Sequence, residues 1–110
     1  MNAHSNDELF LDLAEPLLAA EQAEEGTLMG FPCLRTSRGA FIAMALPRTG
    51  DLIVKVSADR VDELIANGIG LPFAPAGRRF REWVHIPGRD ARLWEKLLRE
   101  ALTFVERNVQ

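Results

Sequence analysis

Hydrophobic residues along the 110-residue chain fall into stretches of helical spacing at the start, middle and end, with strand-like runs between them. Near the N-terminus, Leu9, Phe10, Leu13, Ala14, Leu17 and Leu18 recur every three or four residues, which places them on one helical face. Ser5-Asn6-Asp7-Glu8 ahead of them fits a capping box, a hydroxyl followed three residues later by a carboxylate. Pro16 has no amide hydrogen to give the helix, so a kink or restart is expected near Glu15. Gly26 reads as the stop, which gives a first helical segment within residues 1–25.

A meander is predicted next. The stretch from Thr27 to Thr36 is interrupted by Gly30 and Pro32 and reads as one bent or bulged strand. After a Ser37-Arg38-Gly39 turn, Ala40 to Leu46 reads as a strand that is apolar on both faces. Pro47-Arg48-Thr49-Gly50 is turn chemistry. From Asp51 to Val56 the residues alternate, with Leu52, Val54 and Val56 on one face and Ile53 and Lys55 on the other. Ser57 is placed to cap a second helix buried through Val61, Leu64 and Ile65 and stopped by Gly68. A Gly/Pro-rich loop runs from Gly68 to Gly77, and Phe80 to Ile86 reads as the last strand. Asp90 then caps a final helix whose broad apolar face holds Leu93, Trp94, Leu97, Leu98, Ala101, Phe104 and Val105. Glu95 with Arg99, and Lys96 with Glu100, are spaced to pair on its outer side. The order α-β-β-β-α-β-α predicts one α+β domain over residues 1–110, with helices on one face of a largely antiparallel sheet.

Composition narrows this picture. Length and a hydrophobic fraction of 47% suit a single core and argue against disorder. The longest unbroken apolar run, Ala40 to Leu46, is far shorter than the roughly 18 residues that a membrane span needs. The first eight residues show no basic or apolar secretory pattern, so a cytoplasmic protein without a membrane partner is expected. The net charge of −3 conceals an asymmetry. Residues 1–25 carry seven acids and no Lys or Arg, whereas residues 26–110 carry all 13 basic residues against nine acids, a balance of +4.

Few residues offer chemistry. Cys33, the sole cysteine, lies in an apolar context and reads as a buried thiol, with Arg35 as the nearest charge in sequence. Ser5, Ser37 and Ser57 sit at caps and turns, outside any Gly-x-Ser-x-Gly elbow. His4 and His85 have no partner at metal-ligand spacing, so neither a metal nor a cofactor is expected. Gly68-Ile69-Gly70 follows a helix, the wrong context for a dinucleotide fingerprint. Gly77-Arg78-Arg79-Phe80-Arg81 has two readings: a grip on a phosphate backbone, or a solvated loop balancing the acidic first helix. Lys55, between apolar neighbours, either projects toward a groove or snorkels from the uncovered sheet face. Trp83 and His85 share a strand face and, with Phe73, could line a pocket under the Gly68–Gly77 loop.

Several strings are similar to a known family. Gly30-Phe31-Pro32-Cys33-Leu34-Arg35, Gly39-Ala40-Phe41-Ile42-Ala43 and Leu52-Ile53-Val54-Lys55-Val56 resemble the core of the TfoX N-terminal-domain family, whose plan the MmcQ/YjbR-like family shares. The helix from Val61 to Asn67, the loop with Pro72-Phe73 and Gly77, and Glu82-Trp83-Val84 followed by Pro87 continue the likeness over roughly residues 26–106. The resemblance implies a compact α+β domain similar to double-wing DNA-binding modules, in a family associated with natural competence. Lys55 and Trp83 match recurring positions, and the family brings no catalytic residue. The C-terminal domain of longer competence regulators has no counterpart in this sequence.

Together these features predict a non-enzymatic module that binds DNA or a regulatory protein through Arg78, Arg79 and Arg81, with Lys55 nearby. A homodimerisation or other protein-interaction module is the alternative, and a small-molecule site around Phe73, Trp83 and His85 is a third.

Overall fold

Phe10, Ala14 and Leu17 are buried on one side of a helix, α1 (Glu8–Ala19), as the spacing predicts, with Leu9, Leu13 and Leu18 packed partly against the same core. The computed structural model describes residues 8–28, 31–46 and 48–108 of the chain, so the Ser5 capping box and Pro47 lie outside the described residues. The helix continues through Pro16 without a restart. It ends well before Gly26. Glu21 takes a left-handed φ of 58°, and the Glu21 and Gln22 amides donate to the Leu18 and Leu17 carbonyls at 3.0 and 2.9 Å. That is a Schellman close made without glycine, which is why composition did not mark it.

The segment expected as one bent strand is a hairpin: β1 (Glu24–Leu28) runs antiparallel to β2 (Phe31–Arg35), and Gly26 pairs with Cys33 in its middle. Gly26 makes room there, since a Cβ would stand 2.9 Å from the Arg35 side chain. β3 (Phe41–Ala45) and β4 (Leu52–Lys55) extend the meander. α2 (Ala58–Ala66) follows, then a two-residue strand, β5 (Leu71–Pro72), inside the segment expected to be loop. β6 (Trp83–Ile86) and α3 (Ala91–Asn108) complete an α+β domain. The sheet is antiparallel throughout, in the order β1-β2-β3-β4-β6-β5.

Both later helices begin as their sequences predict. Ser57 Oγ accepts the Arg60 amide at 3.2 Å, and Asp90 Oδ1 accepts the Leu93 amide at 3.2 Å. Each cap satisfies an amide that the first helical turn leaves without a partner. Gly68 closes α2 at a φ of 75°.

The sheet buries both faces, by different means. Leu34, Ala43, Ala45, Leu52, Val54, Val84 and Ile86 pack under the helices, with Trp94, Leu97, Leu98 and Ala101 of α3 at the centre. The opposite face holds Cys33, Met44 and Ile53, and among the described residues no helical one contributes to it. Phe73 covers this second cluster, with Leu28, Phe41, Leu46, Phe80 and Trp83 around it. A bulge in β3 makes the division possible. Leu34 pairs with Ala43 but Arg35 pairs with Phe41, so Ile42 is the extra residue. Ile42 joins the helical core and Phe41 turns to the second face, the re-aiming that a bulge provides.

Candidate nucleic-acid interface

The basic segment is carried by a loop with a well-fastened base. Leaving α2, the chain passes so close to β6 that a Cβ on Gly70 would stand 2.6 Å from Val84 Cγ2. β5 then pairs Leu71 with His85 and Pro72 with Val84. Beyond it, the Gly77 and Arg78 amides donate to the Ala74 and Pro75 carbonyls, each at 3.2 Å, while Ala76 and Gly77 take φ values of 57° and 81°. The Phe80 amide donates to the Phe73 carbonyl at 2.9 Å and closes the loop where it began.

Aromatic rings reinforce this closure. Trp83 stacks on Phe41 with centroids 4.1 Å apart and on Phe73 at 5.6 Å. Phe80 lies 4.8 Å from Trp83 and meets Phe73 edge-on at 5.8 Å. Each such pair adds about 0.5–1.5 kcal/mol beyond simple burial. Arg78 and Arg79 are exposed on the loop, and Arg81 is exposed two residues before Trp83. Three guanidinium groups are therefore held in water by a backbone that is anchored on both sides.

Arg79 does not pair with the acidic first helix. It meets Asp62 of α2 at 3.1 Å, and both side chains are about half exposed or more. An ion pair in that setting contributes at most about 1 kcal/mol, so Arg79 is available to a better anion. Glu24 and Glu25 stand on the opposite edge of the sheet, four strand steps from β6. At about 4.8 Å per step that is roughly 19 Å. Glu8, Asp12 and Glu15 are exposed on α1, which packs against α3.

A groove that the sequence did not reveal adjoins the loop, at the junction of β4 with α2. One cleft of about 520 Å³ is lined by Val56, Ser57, Arg60, Glu100, Phe104 and Arg107, among others. A second, of about 500 Å³, is lined by Ala58, Phe80, Arg81, Glu82 and Trp83. A smaller one, of about 110 Å³, brings Lys55 beside Glu82 and Phe104. Four cations, Lys55, Arg60, Arg81 and Arg107, thus border these clefts against two carboxylates, Glu82 and Glu100. Arg60 bonds Glu63 at 2.9 Å and Glu100 at 3.2 Å, while its buried Nε has no partner. The Glu63 hydrogen bond, with Glu100 adding to it, raises the Arg60 pKa despite partial burial. Glu100, expected to pair with Lys96 along α3, turns to Arg60 instead; Glu95 and Arg99 meet at 3.5 Å as expected.

The remaining chemical candidates do not converge. Phe73 is 7% exposed and fills the second core, so it lines none of the clefts described here. Trp83 lines the second cleft. His85 Nε2 lies 2.8 Å from Asp51 Oδ2, a pair formed across 34 residues of sequence that no local pattern could signal. Phe73 and Trp83 stack on each other, but the three expected pocket residues, Phe73, Trp83 and His85, do not together line any of the clefts described here. Cys33 is buried, and desolvation raises its pKa although Arg35 pulls the other way. Three strand steps separate it from His85 along the row Cys33–Met44–Ile53–His85. That is roughly 14 Å, beyond the reach that a nucleophile–base pair requires. Among the described residues no group of three or more His, Cys, Asp or Glu could hold a metal ion. No helix among them is long and apolar enough to cross a membrane.

Compared with protein-family models, with curated proteins and with solved structures, the chain matches none.

Proposed function

We propose that the chain is a non-enzymatic, cytoplasmic DNA-binding module that grips the phosphate backbone with Arg78, Arg79 and Arg81. One observation carries this reading: Arg78 and Arg79 are exposed on a loop closed by the Phe80–Phe73 backbone bond, Arg81 is exposed one residue beyond it, and four ring contacts brace that closure. Cations displayed on a rigid frame lose little conformational freedom when an anion arrives, and planar guanidinium forks suit phosphate oxygens. Lys55 borders a neighbouring small cleft beside Glu82. The likeness to the TfoX N-terminal-domain family points the same way, toward a regulatory role without chemistry.

Fluorescence anisotropy with labelled DNA tests the reading. The double variant Arg78→Glu/Arg79→Glu is expected to bind at least tenfold more weakly at low salt while its unfolding transition stays in place. Equal affinity of the two proteins refutes it.

A protein-interaction module is the second reading. Ile69 and Leu71, 37% and 48% exposed at the β5 end of the sheet, favour it. Sedimentation over a wide concentration range decides that case, a strictly monomeric chain counting against a homodimer.

A further inference from the structure

The second cleft has a composition that a phosphate site alone does not explain. Its walls are the half-buried rings of Phe80 and Trp83, the small side chain of Ala58, the exposed guanidinium of Arg81 and the exposed carboxylate of Glu82. A carboxylate in the wall repels a phosphate. It is an acceptor for amino groups and ring N–H donors, the groups that nucleobases carry on their edges. The Phe80 ring and the planar Arg81 guanidinium are surfaces on which a base stacks, whatever its identity; Trp83, already stacked on Phe41 and Phe73, lines the cleft beside them. Arg78 and Arg79 immediately precede Phe80 in the chain and are exposed, cations for the phosphates of the same strand.

We propose that this cleft receives one unstacked base of single-stranded DNA, so that the chain prefers single strands to duplex. The proposal rests on the DNA-binding reading of the Arg78–Arg81 loop and specifies the form of DNA taken. A duplex keeps its bases stacked and can offer that loop only its backbone; a single strand can turn a base into the cleft at small cost. The cleft, about 500 Å³, is shallow and broadly open, so a strand can enter and leave freely.

Three probes of equal length separate the possibilities: an oligodeoxycytidylate of about ten residues, a single strand of the same length with abasic sites, and a duplex. The oligodeoxycytidylate is expected to bind roughly tenfold more tightly than the abasic strand, the gain typical of one stacked base. It should also quench indole fluorescence at Trp83, because the other tryptophan, Trp94, is fully buried. Ala58→Met fills the cleft and leaves every arginine in place; it should remove the preference for bases while retaining binding to the abasic strand. Equal binding of the oligodeoxycytidylate and the abasic strand by the unaltered chain overturns the proposal, whether or not the variant folds. An undiminished preference in folded Ala58→Met overturns it as well. Failure of the underlying reading looks different: none of the three probes binds in a salt-dependent way, and both proposals fall together.

Discussion

Replacing Phe73 by alanine tests whether the aromatic cluster is what holds the basic loop. The ring is almost wholly buried against Trp83 and Phe80, and the Phe73 carbonyl receives the Phe80 amide that closes the loop. Losing a buried phenyl forfeits about 1.5–3 kcal/mol of transfer energy, and two ring contacts add about 0.5–1.5 kcal/mol each. Phe-to-Ala changes in cores cost about 3–5 kcal/mol in all. The second core borders solvent, so the vacated space can collapse or admit water, and the low end, about 3 kcal/mol, is the expected value. A domain of this size has about 5–15 kcal/mol to lose, so the variant should still fold. Urea denaturation reads the global loss as a lower midpoint with an unchanged slope. Trypsin reads the local consequence, since Arg78, Arg79 and Arg81 are its cleavage sites and sit on the loop itself. Cleavage there should accelerate more than at Arg92 or Arg99 on α3. A loss below about 1 kcal/mol, together with an unchanged order of tryptic cuts, would refute the idea that the rings anchor the loop.

Gly70→Ala should cost about 1–3 kcal/mol through overlap with Val84, and pairing it with Val84→Ala should show a favourable coupling in a double-mutant cycle; simple additivity would contradict the close approach. Burial holds the Cys33 pKa above its ordinary value of 9.0, so the folded state keeps its proton longer than the unfolded chain does. The contribution is therefore complete below that ordinary value and lost as pH rises through the higher folded value. Stability should fall more steeply above pH 9 in the native chain than in Cys33→Ala, and parallel pH profiles would count against this. Glu100→Ala should lower stability by about 1 kcal/mol by removing the tie between α3 and Arg60, less so at high salt; a loss that does not respond to salt would show the pair to be idle.

Most elements were legible because their buried positions are periodic. The α2 cap and stop, the alternation of Leu52, Val54 and Val56 against Ile53, and most of the α3 face follow from local spacing, although on α3 Leu102 is buried where Phe104 was expected and Phe104 lines a cleft. The β1–β2 hairpin was misread because Gly26 resembles a helix stop, whereas the real stop is Glu21 in a left-handed conformation that its residue type does not advertise. The apolar Ala40–Leu46 run was correctly read as two-faced, but its cause, the extra residue Ile42, lies in the pairing with β2 and not in the run itself. The arginines of the loop stood out as a cluster in sequence. Arg60 and Arg107 did not, because each lies on a helix where a solvated charge is unremarkable and only tertiary contact brings them to one cleft. His85 and Asp51 were equally hidden, since strand pairing, not proximity in the chain, brings them together.

The salt dependence of DNA binding tests the central claim most directly. If Arg78, Arg79 and Arg81 each neutralise a phosphate, the logarithm of the binding constant should fall against the logarithm of salt with a slope of about −2 on single strands and about −3 on duplex. The Arg78→Glu/Arg79→Glu variant should flatten that slope toward −1 or less on either form. A slope near zero for the unaltered chain, or one that the double variant leaves unchanged, would contradict the account.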